Sequence, residues 1–225
     1  MLLSNIFNQQ NYLTECIFMI YLSLEDQKMK KEKDSEKETR LLNSGFKLFT
    51  HKGFKETSIQ EIVDDAQVAK GTFYTYFKDK FELRNVLIAK KSSKLFNDAF
   101  KALQKTDITK LDDQVIFIID YIIDVLNKNQ ILLQFIAKNL SWGIYTRTIN
   151  ELYQSTEAEQ SSIYQLFVDG IKEQNIKLEN PEVTLYMIIE LVSSTCFNSI
   201  LYKKPLPIQE FKPYLYKEIR NLIMQ

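Results

Sequence analysis

The stretch from Lys55 to Leu83 reads KETSIQEIVDDAQVAKGTFYTYFKDKFEL. Ile59, Ile62, Val63 and Ala66 recur at helical spacing, as do Val68, Phe73, Tyr76 and Phe77, with a break near Gln67 between the two sets. Apolar residues spaced in this way predict two short amphipathic helices joined by a tight turn, a helix-turn-helix pattern. Within two turns the second segment offers Lys70, Gly71, Thr72, Tyr74, Thr75 and Tyr76. A cation, small residues and phenols so placed suit phosphate oxygens and the edges of bases.

Upstream, Leu41, Leu42, Phe46, Leu48 and Phe49 predict a helix over Ser35 to Lys52, stopped by His51-Lys52-Gly53. Thr57-Ser58-Ile59-Gln60-Glu61 then allows a capping box in two registers, Thr57 with Gln60 or Ser58 with Glu61. Downstream, Lys78-Asp79-Lys80 separates the motif from a helix over about Lys80 to Leu103, long enough to link two modules. Further helices are predicted over Leu111–Asn127, Ile131–Tyr145, Ile149–Gln174, Pro181–Tyr202 and Pro207–Met224. Apolar residues nearly encircle the first of these, so it should lie at the centre of its bundle.

Five Gly and four Pro in 225 residues leave little turn chemistry for a many-stranded fold, and the chain is expected to be all-α. Cys16 and Cys196 lie far apart and His51 is the single histidine, which argues against a disulfide framework or structural zinc and for a reducing, cytoplasmic setting. With 29 Lys+Arg against 29 Asp+Glu the whole chain is neutral, yet residues 28–91 hold 15 against 10. A basic front and a more acidic rear fit a module that meets an anion and a body that does not. An enzyme is not expected: there is no Gly-rich phosphate loop, nucleophile elbow or metal-spaced cluster, and Asp64/Asp65 and Asp112/Asp113 read as solvated helix positions. The apolar run Cys16 to Leu22 is shorter than the ~20 residues of a membrane span, and no Lys or Arg precedes it. Met29 offers an alternative translation start that would leave residues 1–27 outside the native protein; the competing reading is an added helix on the body.

Taken together, GFKLFTHKGFKETSIQEIVDDAQVAKGTFYTYFKDKFEL resembles the DNA-binding domain of the TetR/AcrR family of bacterial transcriptional regulators. The likeness covers about residues 33–93. It rests on Phe49, Gly53, Phe54 and Thr57, on Ile62-Val63 closing the first short helix, and on Lys70, Gly71, Thr72, Tyr74, Phe77 and Lys80 at the family's spacing. The resemblance implies an N-terminal extension (1–32), a three-helix DNA-binding module (33–93), and a helical effector-binding and dimerisation body (94–225). It implies a homodimer placing two recognition helices in successive major grooves of a near-palindromic operator. Lys70 then becomes the candidate for guanine O6 and N7, Gly71 the point of close backbone approach, and Thr72 and Thr75 contacts to thymine methyls or phosphates. Tyr74, Tyr76 and Lys80 fall at phosphate-holding positions, Lys80 aided by the amino end of its helix. Ser58 and Gln60 fall where members touch phosphate, and Ala69 opens the recognition helix. Tyr76 reads equally as core.

Two residues depart from the family's pattern. Gln67 replaces the usual turn Gly, which implies strain of about 1 kcal/mol if the turn needs positive φ. Ala69 replaces the usual Ser, a lost cap of roughly 0.5–2 kcal/mol. Both point to a recognition helix that DNA tightens. For the body, the resemblance implies an effector cavity, for which Phe117, Tyr121, Trp142, Tyr145 and Tyr164 are the lining candidates and a small hydrophobic or amphipathic molecule the occupant. Ile188, Leu191, Val192, Phe211, Leu215, Ile219 and Leu222 suit either a dimeric four-helix interface or packing within one chain. A ligand-responsive repressor is the expected function, with an activator of the same fold or a helical protein-binding adaptor as alternatives; no cofactor and no membrane are expected.

Overall fold

The computed structural model describes residues 35–136 and 163–224. All regular elements among these residues are helices: α1 (35–51), α2 (Ile59–Asp65), α3 (Lys70–Tyr76), α4 (Lys80–Leu103), α5 (Leu111–Lys128), α6 (Gln130–Ile136), α7 (Ile163–Glu173), α8 (Pro181–Leu201) and α9 (Ile208–Ile223). The chain divides between Leu83 and Arg84 into two compact units. The expected cavity residues Trp142 and Tyr145 lie outside the described residues, as does the N-terminal extension.

In the first unit the buried side chains include Leu41, Phe49, Ile62, Val63, Ala66, Phe73, Phe77 and Leu83. Helices of seven residues are marginal alone, so α2 and α3 hold their shape through this shared core. Of the two capping registers the structure uses Ser58 with Glu61: the Ser58 hydroxyl accepts from the Glu61 N–H, and the Glu61 carboxylate accepts from the Ser58 N–H. At the other end of α2, Gln67 adopts φ 54°, with its N–H on the Asp64 carbonyl at 3.1 Å and the Val68 N–H on the Val63 carbonyl at 3.0 Å. These are the two hydrogen bonds of a Schellman stop, and they carry a side chain where glycine is the favoured occupant. Asp79 caps α4 by accepting from the Glu82 N–H at 2.8 Å.

The second unit is built around α5, which packs against α6, α7, α8 and α9. Gly170 lets α7 approach closely, since a Cβ there would stand 2.6 Å from Leu111 Cδ1. Phe96, Ala99 and Leu103 of α4 and Ile118 of α5 form a buried cluster, with Phe100, Ile108, Phe117, Tyr121 and Leu166 packed on it. The Asp112/Asp113 pair corrects the sequence reading. Asp112 is 7% exposed, and both carboxylates receive the Arg220 guanidinium of α9. Farther along the same two helices Lys212 reaches Asp120 and Asp124, each at 2.6 Å, and Tyr216 donates to Asp120. Lys212, Tyr216 and Arg220 recur every fourth residue, so one face of α9 carries a polar ladder onto α5.

Helix α8 is long and apolar enough to cross a membrane by length and composition. Its Thr184, Leu185, Ile188, Ile189, Cys196, Ser199 and Ile200 are buried in the unit, while Val183, Tyr186 and Met187 are exposed. Of the seven dimer candidates, Ile188, Leu215 and Ile219 are buried within the chain; Leu191, Val192, Phe211 and Leu222 keep part of their surface exposed.

Candidate nucleic-acid interface

Burial of Phe73 fixes which way α3 faces. Phe73 is 0% exposed and Phe77 lies beneath it, so the opposite side of the helix, Lys70, Gly71, Tyr74 and Thr75, is turned to solvent. These four stand at i, i+1, i+4 and i+5, one face of a helix. Tyr74 is 53% exposed and its ring meets Phe73 edge-on at 5.5 Å. Thr72 and Tyr76 flank that face half-buried, the Tyr76 ring lying 6.3 Å from Phe77. A Cβ at Gly71 would meet nothing within 4 Å, so the protein's own packing does not require glycine there. Ala69 is the N-cap of α3 and supplies no side-chain hydrogen bond.

Two expected contacts have other employment. Ser58 spends its hydroxyl hydrogen on the Glu61 carboxylate at 2.9 Å, within the capping box. Lys80 is half-buried, and its ammonium donates to the carbonyls of Phe54 at 2.9 Å, Lys55 at 3.2 Å and Thr57 at 2.9 Å while lying 4.7 Å over the Phe54 ring. Gln60 is exposed and gives one amide hydrogen to Asp64 at 2.9 Å.

The charges of the unit sort themselves in the same way. From Ser35 to Leu83 there are eight Lys+Arg and eight Asp+Glu, so the basic surplus read from the sequence lies to either side of the motif. Lys47 pairs with Asp65 at 2.6 Å, and Lys52 pairs with Glu61; the first ties α1 to α2, the second the residue just past α1 to α2. Asp64 and Asp65 are exposed positions of α2, as expected, and each is also bonded, Asp64 to Gln60 and Asp65 to Lys47. Lys52, followed by the Ser58 N–H and hydroxyl, holds Glu61 down to about 2. Lys47 and then Ser44 hold Asp65 below the usual carboxylate range. No hydrogen bond or ion pair among the described residues engages the exposed ammonium groups of Lys55, Lys70 and Lys78. Lys55 and Lys78 were not singled out from the sequence, because which lysines are paired depends on α1 meeting α2. Among the described residues no group of three or more His, Cys, Asp or Glu could hold a metal ion.

Residues 41–87, which span this whole arrangement, match the family described as bacterial regulatory proteins, tetR family. The chain carries a TetR-family module. Its relatives include the HTH-type transcriptional regulator YhgD of Bacillus subtilis (strain 168), 27% identical over 159 residues, which cover 70% of this chain and 81% of that one. Among solved structures, a TetR-family transcriptional regulator from Syntrophomonas wolfei str. Goettingen superposes with a TM-score of 0.63 at 17% identity, covering 85% of this chain and 96% of the other. FadR of Bacillus subtilis in complex with stearoyl-CoA gives 0.55 at 14% identity, covering 82% and 97%. Those two likenesses are of fold. With this module and these relatives the chain is a DNA-binding transcriptional regulator, and α2 and α3 form its helix-turn-helix.

Proposed function

We propose that this regulator is a cytoplasmic, ligand-responsive repressor that binds a near-palindromic operator as a homodimer and leaves it when a small hydrophobic or amphipathic effector binds. The observation that carries the DNA half of this reading is the outward face of α3, where Lys70, Gly71, Tyr74 and Thr75 stand clear of the core over a fully buried Phe73. Lys70 is the base reader, with Thr72, Tyr74, Thr75, Tyr76 and Gln60 around it. Ser58 and Ala69 act through the ends of α2 and α3.

Dimerisation is assigned to α8 and α9, because Val183, Tyr186 and Met187 expose an apolar strip at i, i+3 and i+4 on a helix whose other faces the subunit covers. Large exposed apolar surface on a folded domain calls for a partner. The effector is assigned to the aromatic region around Phe117, Tyr121 and Tyr164, the first two packed on the cluster of α4 and α5. An amphipathic occupant is in line with the stearoyl-CoA carried by FadR. Release then follows from linkage: an effector that favours one conformer lowers DNA affinity by the ratio of its affinities for the two.

The test is selection of binding sites from random duplex DNA with the full chain, followed by a compound screen against the selected site. Enrichment of a two-half-site sequence, released by an apolar or amphipathic compound, is expected. Failure to enrich any sequence removes the operator reading, and a monomer at micromolar concentration removes the dimer.

A further inference from the structure

We propose that Lys80 is a positioning residue of the DNA-binding module and that Lys55, on the loop it holds, is the cation that meets a backbone phosphate. This rests on the DNA-binding reading above. An ammonium group has three hydrogens. At Lys80 all three are committed, to the carbonyls of Phe54, Lys55 and Thr57. Swinging Lys80 out to a phosphate would break three charge-assisted bonds.

The same loop is held from other sides. Thr57 donates its hydroxyl to the Gly53 carbonyl at 2.7 Å, and Gly53 sits at φ 101°, which lets the chain turn sharply after α1. The Phe54 ring lies between Phe49 at 5.1 Å and Phe81 at 4.9 Å. Lys80 therefore fixes the backbone of Lys55 three residues before the N-cap of α2. The Lys55 ammonium is exposed and engaged by none of the described residues, whereas its neighbours Lys47 and Lys52 are spent on Asp65 and Glu61. A lysine binds phosphate as a point charge and needs only an accessible, unpaired ammonium on a held backbone.

The experiment measures affinity for a selected duplex against salt concentration for the full chain, K55A, K80M and K55A/K80M, with amide exchange read over residues 54–58. K55A should lower the slope of log affinity on log salt by about 0.9, the counterion release of one phosphate contact. K80M should bind about tenfold more weakly with a slope between those of wild type and K55A, and its loop amides should exchange faster. In the K80M background K55A should cost less than in wild type, because the loop that aims Lys55 is no longer held. Additive effects would reduce Lys80 to a merely structural role and overturn its positioning of Lys55. A K80M slope lower by one contact with unchanged exchange, or a K55A slope equal to wild type, would overturn the assignment. Should K80M fail to fold, the K55A slope decides. If wild type binds no duplex, the DNA reading itself has failed, and slow loop exchange in K80M would separately sink the role of Lys80.

Discussion

The side-chain carbonyl of Gln174, just past α7, accepts the backbone N–H of Leu111, the first residue of α5, at 3.0 Å, and its amide nitrogen donates to the Thr109 carbonyl at 2.9 Å. The N-cap of α5 is Lys110, which offers no side-chain cap, so the cap comes from 63 residues away. Gln174→Ala should cost about 1 kcal/mol, the usual cost of a lost cap. Gln174→Glu, which keeps the acceptor and loses the donor, should fall between. Urea unfolding of the full chain checks both, and a wild-type midpoint for the alanine variant would mean that packing alone starts α5.

The ladder between α5 and α9 predicts a limit at acid pH. Burial pushes the Asp120 carboxyl up, but the Lys212 ammonium and the Tyr216 phenol outweigh it and hold the group below its usual value. A carboxylate whose folded pKa is depressed contributes stability above its unfolded pKa and loses it as pH falls through the folded one. For Asp120 that window lies below about pH 4. Lys212, lowered by burial and raised further by Asp120 and Asp124, has the opposite sign: its contribution fades as pH rises above about 10. Thermal unfolding across pH should show Asp120→Asn less stable than wild type at neutral pH and flatter below pH 4.

On α3 the protein's needs and those of DNA can be separated. Gly71→Ala should stabilise the free protein by up to about 1 kcal/mol, because alanine is the better helix former and its Cβ meets nothing within 4 Å. The same change should weaken operator binding if DNA approaches the backbone closely there. Equal affinity for both proteins would show that no such approach occurs.

Ala69→Ser should add the missing cap of α3 and raise stability by about 1 kcal/mol. Operator affinity should rise with it, since less ordering is left for DNA to impose. A gain in melting temperature with unchanged affinity would show α3 already ordered in the free protein.

Lys70→Ala should relax sequence choice and cost about 1–3 kcal/mol against the preferred base, while affinity for other bases at that position changes little. Binding to operators substituted one base pair at a time reads this out. A uniform loss across all substitutions would make Lys70 a phosphate contact instead.

Helix positions were legible because apolar spacing is a local signal: α4 runs from Lys80 to Leu103 as read, and α8 and α9 end within a residue of their predicted bounds. The strained turn was legible too, since Gln67 stands at φ 54° where the pattern called for glycine. Asp112 and Asp113 could not be read in this way. Their partner Arg220 is more than a hundred residues away, and only the pairing of α5 with α9 makes one carboxylate buried. The choice between dimer contact and core for Ile188, Leu215 and Ile219 likewise depended on which face of α8 and α9 the subunit itself covers.

By itself the sequence determined the all-helical fold, the break at Gln67 and the face of α3 that Phe73 draws inward, because each follows from residues within a few turns of one another; for α2 it offered two capping registers, between which the structure chose. Tertiary structure decided the employment of the charges. Lys47 and Lys52 are neutralised because α1 meets α2, Lys80 is held because the loop after α1 folds over the start of α4, and Lys55 and Lys70 are left accessible. A lysine reads the same in a sequence whether its ammonium faces a carbonyl, a carboxylate or water, and only the fold brings those partners within hydrogen-bonding distance.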